Sequence, residues 1–228
     1  MSQCLVVPKQ MLESASFWPK LPRTEGVISA AILLPPSEIQ ELLEVINKNS
    51  VFMERKGPDG VEEKPEWQQI ISYALIVQGN KFFLYQRGKT ATYKEERLRS
   101  KISAGVGGHV EPSDASGFTS SLKREIEEEI RLSKNGVEII VGEAFSKIKI
   151  IGLIKDEKDE VGKVHLGLVC LIELTEGVQV TVRSNENLWG QFVTLEEYRK
   201  IISLPRYSPE GWTELLIEHI VSPLFENR

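Results

Sequence analysis

Apolar residues recur along the chain with two spacings, which predict β-strands grouped around one central helix. Strands are indicated where apolar residues alternate or run together for about 4 to 8 residues between turn signals. The central helix is predicted over about 118–132, where Leu122, Ile126 and Ile130 repeat every fourth residue. The strands predicted after residue 66 cover 70–77, 81–87, 102–106, 137–141, 145–154, 164–174 and 191–193. Strands around one helix, with later helices covering the other face, indicate an α/β sandwich on a mixed sheet.

The first 66 residues differ in pattern and are predicted to form an α+β extension packed on a main domain of residues 67–228. A short apolar run predicts a strand over 5–7. A helix is predicted to begin after Ser37, because Ser37 and Gln40 have the spacing of a capping box.

Helix boundaries elsewhere follow from capping signals. Asn135-Gly136 predicts the end of the central helix, because a residue with positive φ often closes a helix. Thr194 and Glu197 predict a second capping box at the start of a later helix. A final helix is predicted over 209–221, where apolar residues again recur at helical spacing.

Composition narrows the class of protein. The chain has 228 residues, of which 41% are hydrophobic and 27% charged, as in ordinary globular domains. A net charge of −5 argues against general binding to nucleic acid or to an anionic membrane. Cys4 and Cys170 are too few and too far apart for a disulfide framework or a zinc site. No signal peptide or membrane-spanning run is evident, so we expect a cytoplasmic protein.

The central helix carries a stripe of carboxylates. Glu125, Glu128 and Glu129 are spaced i, i+3 and i+4, so they project within an arc of roughly 100°. Like charges at this spacing repel, and a divalent cation would offset the repulsion. Glu127 points away from the other three, and we expect it to be a solvated surface charge. These three glutamates, called the acidic stripe below, are therefore the first candidates for a metal site.

The sequence around the stripe resembles the signature of the Nudix hydrolase superfamily. Gly108, five residues, Asp114, nine residues and then the run 124–132 match much of the superfamily pattern of a glycine loop followed by Arg-Glu-x-x-Glu-Glu. Three features depart from it: a loop two residues longer than usual, Asp114 in place of Glu, and Arg131 in place of Gly. Because Arg131 lacks the freedom of glycine, we expect the helix to continue to Asn135-Gly136. The likeness extends to a sub-group of bacterial predicted phosphoesterases with an N-terminal extension.

The resemblance implies a chemistry and assigns residues to it. It implies a Nudix-type α/β/α sandwich that hydrolyses a diphosphate linkage in a nucleoside diphosphate derivative, with Mg²⁺, or Mn²⁺, as cofactor. Glu128 and Glu129 match the metal-binding pair, and Glu125 matches a further ligand or base. Arg124 matches the arginine that orients these acids, and the carbonyl of Gly107 matches a backbone metal ligand.

Further candidates surround this centre. Glu186 lies in a loop where several Nudix enzymes carry an extra acid that acts as base or ligand. Arg87, Arg97 and Arg99 flank the strands that enter the glycine loop and are candidates for holding phosphate, the alternative being solvated surface charge. His109 follows the glycines and is a candidate substrate contact or a loop residue bonded to backbone.

Two other functions stay open at this level. A Nudix-like module that binds a nucleotide without cleaving it would keep the fold, but it would not need a repulsive acidic stripe. An isomerase of the isopentenyl diphosphate type shares the fold, but it uses a cysteine in a motif that neither Cys4 nor Cys170 occupies. The expected partner is a small molecule that contains a diphosphate, and a homodimer is compatible with the extension.

Overall fold

The protein has a mixed α/β fold with one large mixed β-sheet, as predicted. The structure, a computed structural model, describes residues 2–88, 100–114, 117–183 and 187–226. None of the helices within these ranges is long and apolar enough to cross a membrane.

Fourteen strands and eight α-helices are described. The strands are β1 (Gln3–Pro8), β2 (Arg23–Thr24), β3 (Val27–Leu33), β4 (Val51–Glu54), β5 (Trp67–Gln78), β6 (Lys81–Arg87), β7 (Ile102–Ser103), β8 (Val106–His109), β9 (Ile130–Lys134), β10 (Val137–Glu138), β11 (Phe145–Asp156), β12 (His165–Leu174), β13 (Val178–Val182) and β14 (Asn187–Val193). The helices are α1 (Lys9–Glu13), α2 (Pro36–Asn49), α3 (Phe118–Glu129), α4 (Val141–Ala144), α5 (Glu160–Lys163), α6 (Leu195–Ile202), α7 (Gly211–Leu216) and α8 (Ser222–Glu226). A π-helical turn over Ile217–Val221 joins the last two helices.

Two compact units divide the chain. The first takes Met1–Tyr73, Gly107–Leu122 and Ile150–Cys170, and the second takes Ala74–Val106, Lys123–Lys149 and Leu171–Arg228. In the first unit the strand order is β5-β12-β11-β3-β2, while β1 and β8 pair with β5 and β4 pairs with β1. Strands β1 and β3 come from the predicted extension, so its strands share a sheet with strands of the predicted main domain. The boundary at residue 66 stays a prediction.

An apolar core fills the first unit. Phe17 and Trp18 are buried beside apolar residues of α2 and of the sheet, including Leu42 and Leu168. Leu42 lies on the predicted apolar stripe of α2. Periodic burial of one helix face against the sheet explains why this segment forms a stable amphipathic helix.

The second unit contains the strand order β14-β6-β5, with β7 beside β6, and a separate sheet of order β10-β9-β13. Gly79-Asn80 closes the β5–β6 hairpin, as predicted, with Val77 opposite Phe82. The ring of Phe82 lies 6.0 Å from that of Tyr198 on α6, in an edge-to-face arrangement. Aromatic contacts of this kind fix α6 against the strands.

The central helix is shorter than predicted. It ends at Glu129, and β9 begins at the next residue, Ile130. The expectation that Arg131 extends the helix is therefore wrong. Asn135 and Gly136 have φ of 54° and 79° and form the turn between β9 and β10. A residue pair that favours positive φ can end a helix, but an Asn-Gly pair equally favours a tight hairpin.

One predicted cap is absent and one is present. Helix α2 begins at Pro36 without a side-chain cap, so the capping box at Ser37 and Gln40 is wrong. Proline at the first helical position lacks the N–H that a cap would satisfy, which makes it a sufficient start signal. Thr194 and Glu197 form the predicted capping box of α6.

Lys155 is a buried ammonium in the first unit that fixes the turn between β11 and β12. Its side chain is 0% exposed, and Nζ donates to the carbonyls of Gly162, Lys163 and His165 at 2.7, 2.9 and 3.3 Å. Glu157 lies 3.7 Å from Nζ and supplies a nearby negative charge. The three protons of the ammonium thus satisfy three carbonyls where α5 ends and β12 begins.

Replacing Lys155 with Met should lower the free energy of unfolding by about 1.5–3 kcal/mol, because hydrogen bonds to a charged donor are lost inside the protein. Burial lowers the pKa of Lys155 to about 7, so chemical denaturation at about pH 6, where the side chain is an ammonium, measures the change. Lys163→Met is the matched control, since its pair with Glu160 is exposed and its loss should leave stability nearly unchanged. Equal losses in the two variants would show that Lys155 does not fix this turn.

Candidate active site on helix α3

The acidic stripe lies on the part of α3 that belongs to the second unit. The side chains of Glu125 and Glu129 are each only 14% exposed, whereas that of Glu128 is 59% exposed. Ile126, on another face, is fully buried and fixes the rotation of the helix. Glu127 is exposed, as predicted. Two carboxylates are therefore held out of bulk water, and a third lies at the surface.

Arg124 joins two acids of the stripe. Its Nη1 donates to Oε1 of Glu125 at 2.7 Å and lies 3.4 Å from Oε1 of Glu128. One guanidinium between two carboxylates fixes their spacing through charge-assisted hydrogen bonds. This is the orienting contact that the sequence resemblance assigns to Arg124.

Strand β6 supports the third acid. The hydroxyl of Tyr85 donates to Oε2 of Glu129 at 2.7 Å, and Nη1 of Arg87 lies 3.5 Å from Oε1 of Glu129. Arg87 also forms an ion pair through Nε with Glu210, which Ser103 contacts through a hydrogen bond at 3.1 Å. The described polar partners of Glu129 thus come from β6, and Glu210 contacts one of them, Arg87.

Burial makes these carboxylates harder to ionise. Loss of hydration raises the pKa of Glu125 to about 7, although Arg124 opposes the shift. Burial also raises the pKa of Glu129, against the opposing effects of Arg87 and Tyr85. Mutual repulsion within the stripe adds to the shift of Glu125. The positive charges near Glu125 and Glu129 therefore do not fully offset the loss of hydration of these carboxylates.

The donor chemistry of the stripe suits a hard divalent cation. Carboxylate oxygens are the ligands that Mg²⁺ and Mn²⁺ prefer. Over the described ranges, no three His, Cys, Asp or Glu side chains are gathered into a preassembled metal cluster. Glu128 is mostly exposed and bound only loosely by Arg124. The stripe thus supplies suitable ligands, of which Glu125 and Glu129 are the fixed ones.

The glycine loop belongs to the first unit and is held by close backbone contacts. A Cβ added at Gly107 would lie 1.7 Å from the carbonyl oxygen of Ser72, so this position on β8 requires glycine. The hydroxyl of Ser72 donates to the carbonyl of Gly108 at 3.3 Å. Asp114, which replaces the usual Glu, is buried and accepts a bond from the backbone N–H of Glu111 at 2.7 Å. Asp114 therefore fixes a turn in the loop.

His109 lies in a polar cluster of the first unit that sequence reasoning missed. Its Nε2 lies 2.9 Å from Oε1 of Gln69 and 3.1 Å from Nε2 of His165. Nδ1 of His165 donates to the carbonyl of Val161 at 2.6 Å, so the Nε2 of neutral His165 accepts from His109. Cys4 donates to the same amide oxygen of Gln69 at 3.4 Å. His109 thus has a fixed ring orientation.

The predicted site residues separate into three groups. The second unit brings together Arg124 with Glu125 and Glu128, and Arg87 with Glu129. Gly107 and His109 belong to the first unit. Arg97, Arg99 and Glu186 lie outside the described residues. Sequence reasoning missed Glu210, because 123 residues separate it from Arg87 and no local motif distinguishes this buried acid from acids at the surface.

Solved structures share this architecture. Tm1382, a proposed Nudix hydrolase, superposes with a TM-score of 0.64 over 99% of this chain and 99% of its own, at 20% identity. The chain has the Nudix fold. DR0079 from Deinococcus radiodurans matches this Nudix-fold protein with a TM-score of 0.51 over 83% of this chain and 98% of its own, at 12% identity.

Sequence comparison adds a relative whose name states no function. Protein YmaB of Bacillus subtilis (strain 168) is 29% identical over 201 residues, which cover 86% of this chain and 90% of YmaB. No protein-family profile matches the sequence. The fold assignment thus rests on the structural likeness, which agrees with the Nudix-like motif.

Replacing Gly107 with Ala should destabilise this Nudix-fold protein by about 3 kcal/mol or more, because backbone atoms of Ser72 cannot yield as a flexible side chain does. Thermal or chemical unfolding without added metal measures the effect. Gly142→Ala is the control, since a Cβ there meets nothing within 4 Å and should leave stability nearly unchanged. A well-folded Gly107→Ala protein with wild-type stability would contradict the close approach.

Proposed function

We propose that this protein is a divalent-cation-dependent hydrolase that cleaves a diphosphate linkage in a nucleoside diphosphate derivative or a related nucleotide. One observation supports the proposal: three carboxylates share one stripe of α3, and hydrogen bonds from Arg124 and Tyr85 orient the two that are largely buried, Glu125 and Glu129. A helix face that only met solvent would not need Arg124, Tyr85 and Arg87 directed at its acids. The Nudix fold supports the same assignment.

Under this proposal, the residues that contact the stripe have separate roles. Arg124 sets the spacing of Glu125 and Glu128 through its shared guanidinium nitrogen. Tyr85 fixes the carboxylate of Glu129 by donating its hydroxyl proton. These contacts preorganise the acids on rigid elements, so little reorganisation is needed during the reaction.

Glu125, Glu128 and Glu129 would hold the cation, which when bound neutralises diphosphate charge and lowers the pKa of a coordinated water. Gly107 stays a proposed backbone ligand. Arg97 and Arg99 stay proposed phosphate contacts, and Glu186 stays a proposed base. His109 is proposed to contact substrate through a ring whose orientation His165 fixes. Arg87 also stays a proposed phosphate contact, and it forms ion pairs with Glu129 and Glu210.

Single replacement of each acid tests the proposal. With Mg²⁺ or Mn²⁺, a panel of nucleoside diphosphate derivatives, nucleoside triphosphates and dinucleoside polyphosphates should yield phosphate or a nucleoside monophosphate, and a chelator should abolish release. Glu128→Gln and Glu129→Gln should each lower kcat more than about 100-fold, beyond the effect of losing an outer-shell partner. The measurement is the rate at which phosphate or nucleoside monophosphate is formed.

Glu127→Gln is the matched control on the same helix, because Glu127 is exposed and outside the stripe. It should retain wild-type turnover. Full turnover by Glu129→Gln would remove the stripe from the reaction. Tight nucleotide binding with no turnover of any compound by the wild type would instead favour a binding or regulatory module.

A further inference from the structure

A buried ion cluster lies behind the acidic stripe in the second unit. It consists of Glu129, Arg87 and Glu210, whose side chains are 14%, 8% and 6% exposed. Charges this far from water interact more strongly than surface pairs. Among the described residues, the cluster holds two carboxylates and one guanidinium, so their formal charges sum to one negative charge.

Arg87 makes a closer contact with the carboxylate of Glu210 than with that of Glu129. Its Nε donates directly to Oε1 of Glu210, whereas its Nη1 lies 3.5 Å from Oε1 of Glu129, at the long end for an ion pair. The hydroxyl of Tyr85, not Arg87, makes the short hydrogen bond to Glu129. Of these two described carboxylate partners, Glu210 is therefore the nearer one to the guanidinium of Arg87.

Glu210 is itself held firmly. The hydroxyl of Ser103 donates to its Oε2 at 3.1 Å, and its backbone N–H donates to the carbonyl of Ile102 at 3.0 Å. It immediately precedes α7, and the first helical turn begins from its carbonyl, which accepts from the N–H of Glu214 at 3.0 Å. Glu210 is thus a fixed counter-ion on rigid backbone.

We infer that Glu210 is a charge-balancing residue of the proposed cation site: it pairs with Arg87, so that the guanidinium competes less with a divalent cation for the carboxylate oxygens of Glu129. This inference rests on the proposed function of the acidic stripe. It assigns a role in the site to the segment around α7, far in sequence from the Nudix-like motif. Glu210 contacts neither the stripe's Arg124 nor the acids that Arg124 orients in any described bond, and acts through Arg87.

Loss of the charge on Glu210 would reverse the balance. Arg87 would keep its buried positive charge without its nearest counter-ion, and Glu129 would become its remaining described carboxylate partner. A cation would then have to compete with a guanidinium for the same oxygens. Removing Arg87 as well would take this competitor away. The two changes should therefore be strongly non-additive, as expected for residues in one charged network.

Manganese affinity measures this directly. The free-Mn²⁺ signal in electron paramagnetic resonance is followed during titration of the full chain, without substrate. Glu210→Gln should weaken Mn²⁺ binding about 10-fold or more, the size expected for loss of an outer-shell partner. Arg87→Met should bind Mn²⁺ at least as tightly as the wild type, and Arg87→Met/Glu210→Gln should return to the level of Arg87→Met.

The rescue separates charge balance from a structural role. A merely structural Glu210 would lower the unfolding midpoint of the metal-free protein, and the double variant would then bind Mn²⁺ no better than Glu210→Gln. Glu214→Gln is the matched control, an exposed acid one turn along α7, and should bind as the wild type does. Should Glu210→Gln fail to fold, Arg87→Met alone decides: affinity weakened 10-fold or more would overturn the inference.

Glu129→Gln distinguishes failure of this inference from failure of the proposed function. Wild-type protein that binds no Mn²⁺, or Glu129→Gln protein that binds it unchanged, overturns both. Weakened binding by Glu129→Gln together with wild-type binding by Glu210→Gln overturns only the role of Glu210.

Discussion

Carboxylates buried on one face of α3 are the constraint on which the rest of the second unit depends. Glu125 and Glu129 lie largely out of water, one turn apart on the same helix, where like charges repel and hydration is lost. Hydrogen bonds and an ion pair stabilise these acids: they come from Arg124 on the helix itself, and from Tyr85 and Arg87 on β6. Their contacts hold Glu125 and Glu129 in place, so this face of α3 is not merely a solvated surface.

The partners of these acids come from distant parts of the chain, which explains why the fold must be intact for the site to exist. Tyr85 and Arg87 lie on one strand at positions two apart, so their side chains share a face of the sheet. Glu210 reaches the same cluster from the residue before α7. The match to Tm1382 covers 99% of this chain, a span that includes the N-terminal strands β1 and β3.

Local patterns predicted what depends on local physics. Three features could be predicted, because each follows from the period of burial or from the chemistry of a turn or cap. They are the apolar repeat of α3, the Gly79-Asn80 hairpin and the Thr194–Glu197 cap. The end of α3 was predicted wrongly, since positive φ at Asn135 and Gly136 serves a hairpin as well as a helix end. The proposed role of Glu210 could not be predicted from the sequence. Nothing in a single sequence pairs two residues 123 positions apart, and only the folded chain shows that the acid meets Arg87.

The acidic stripe of α3 is proposed to bind a divalent cation. Anomalous diffraction at the manganese edge, from crystals of the wild-type protein grown with Mn²⁺, tests this binding. We expect an anomalous peak at ligand distance from carboxylate oxygens of Glu125, Glu128 or Glu129, and its loss in Glu129→Gln crystals. A fully occupied manganese ion elsewhere, with no peak at the stripe, would contradict it.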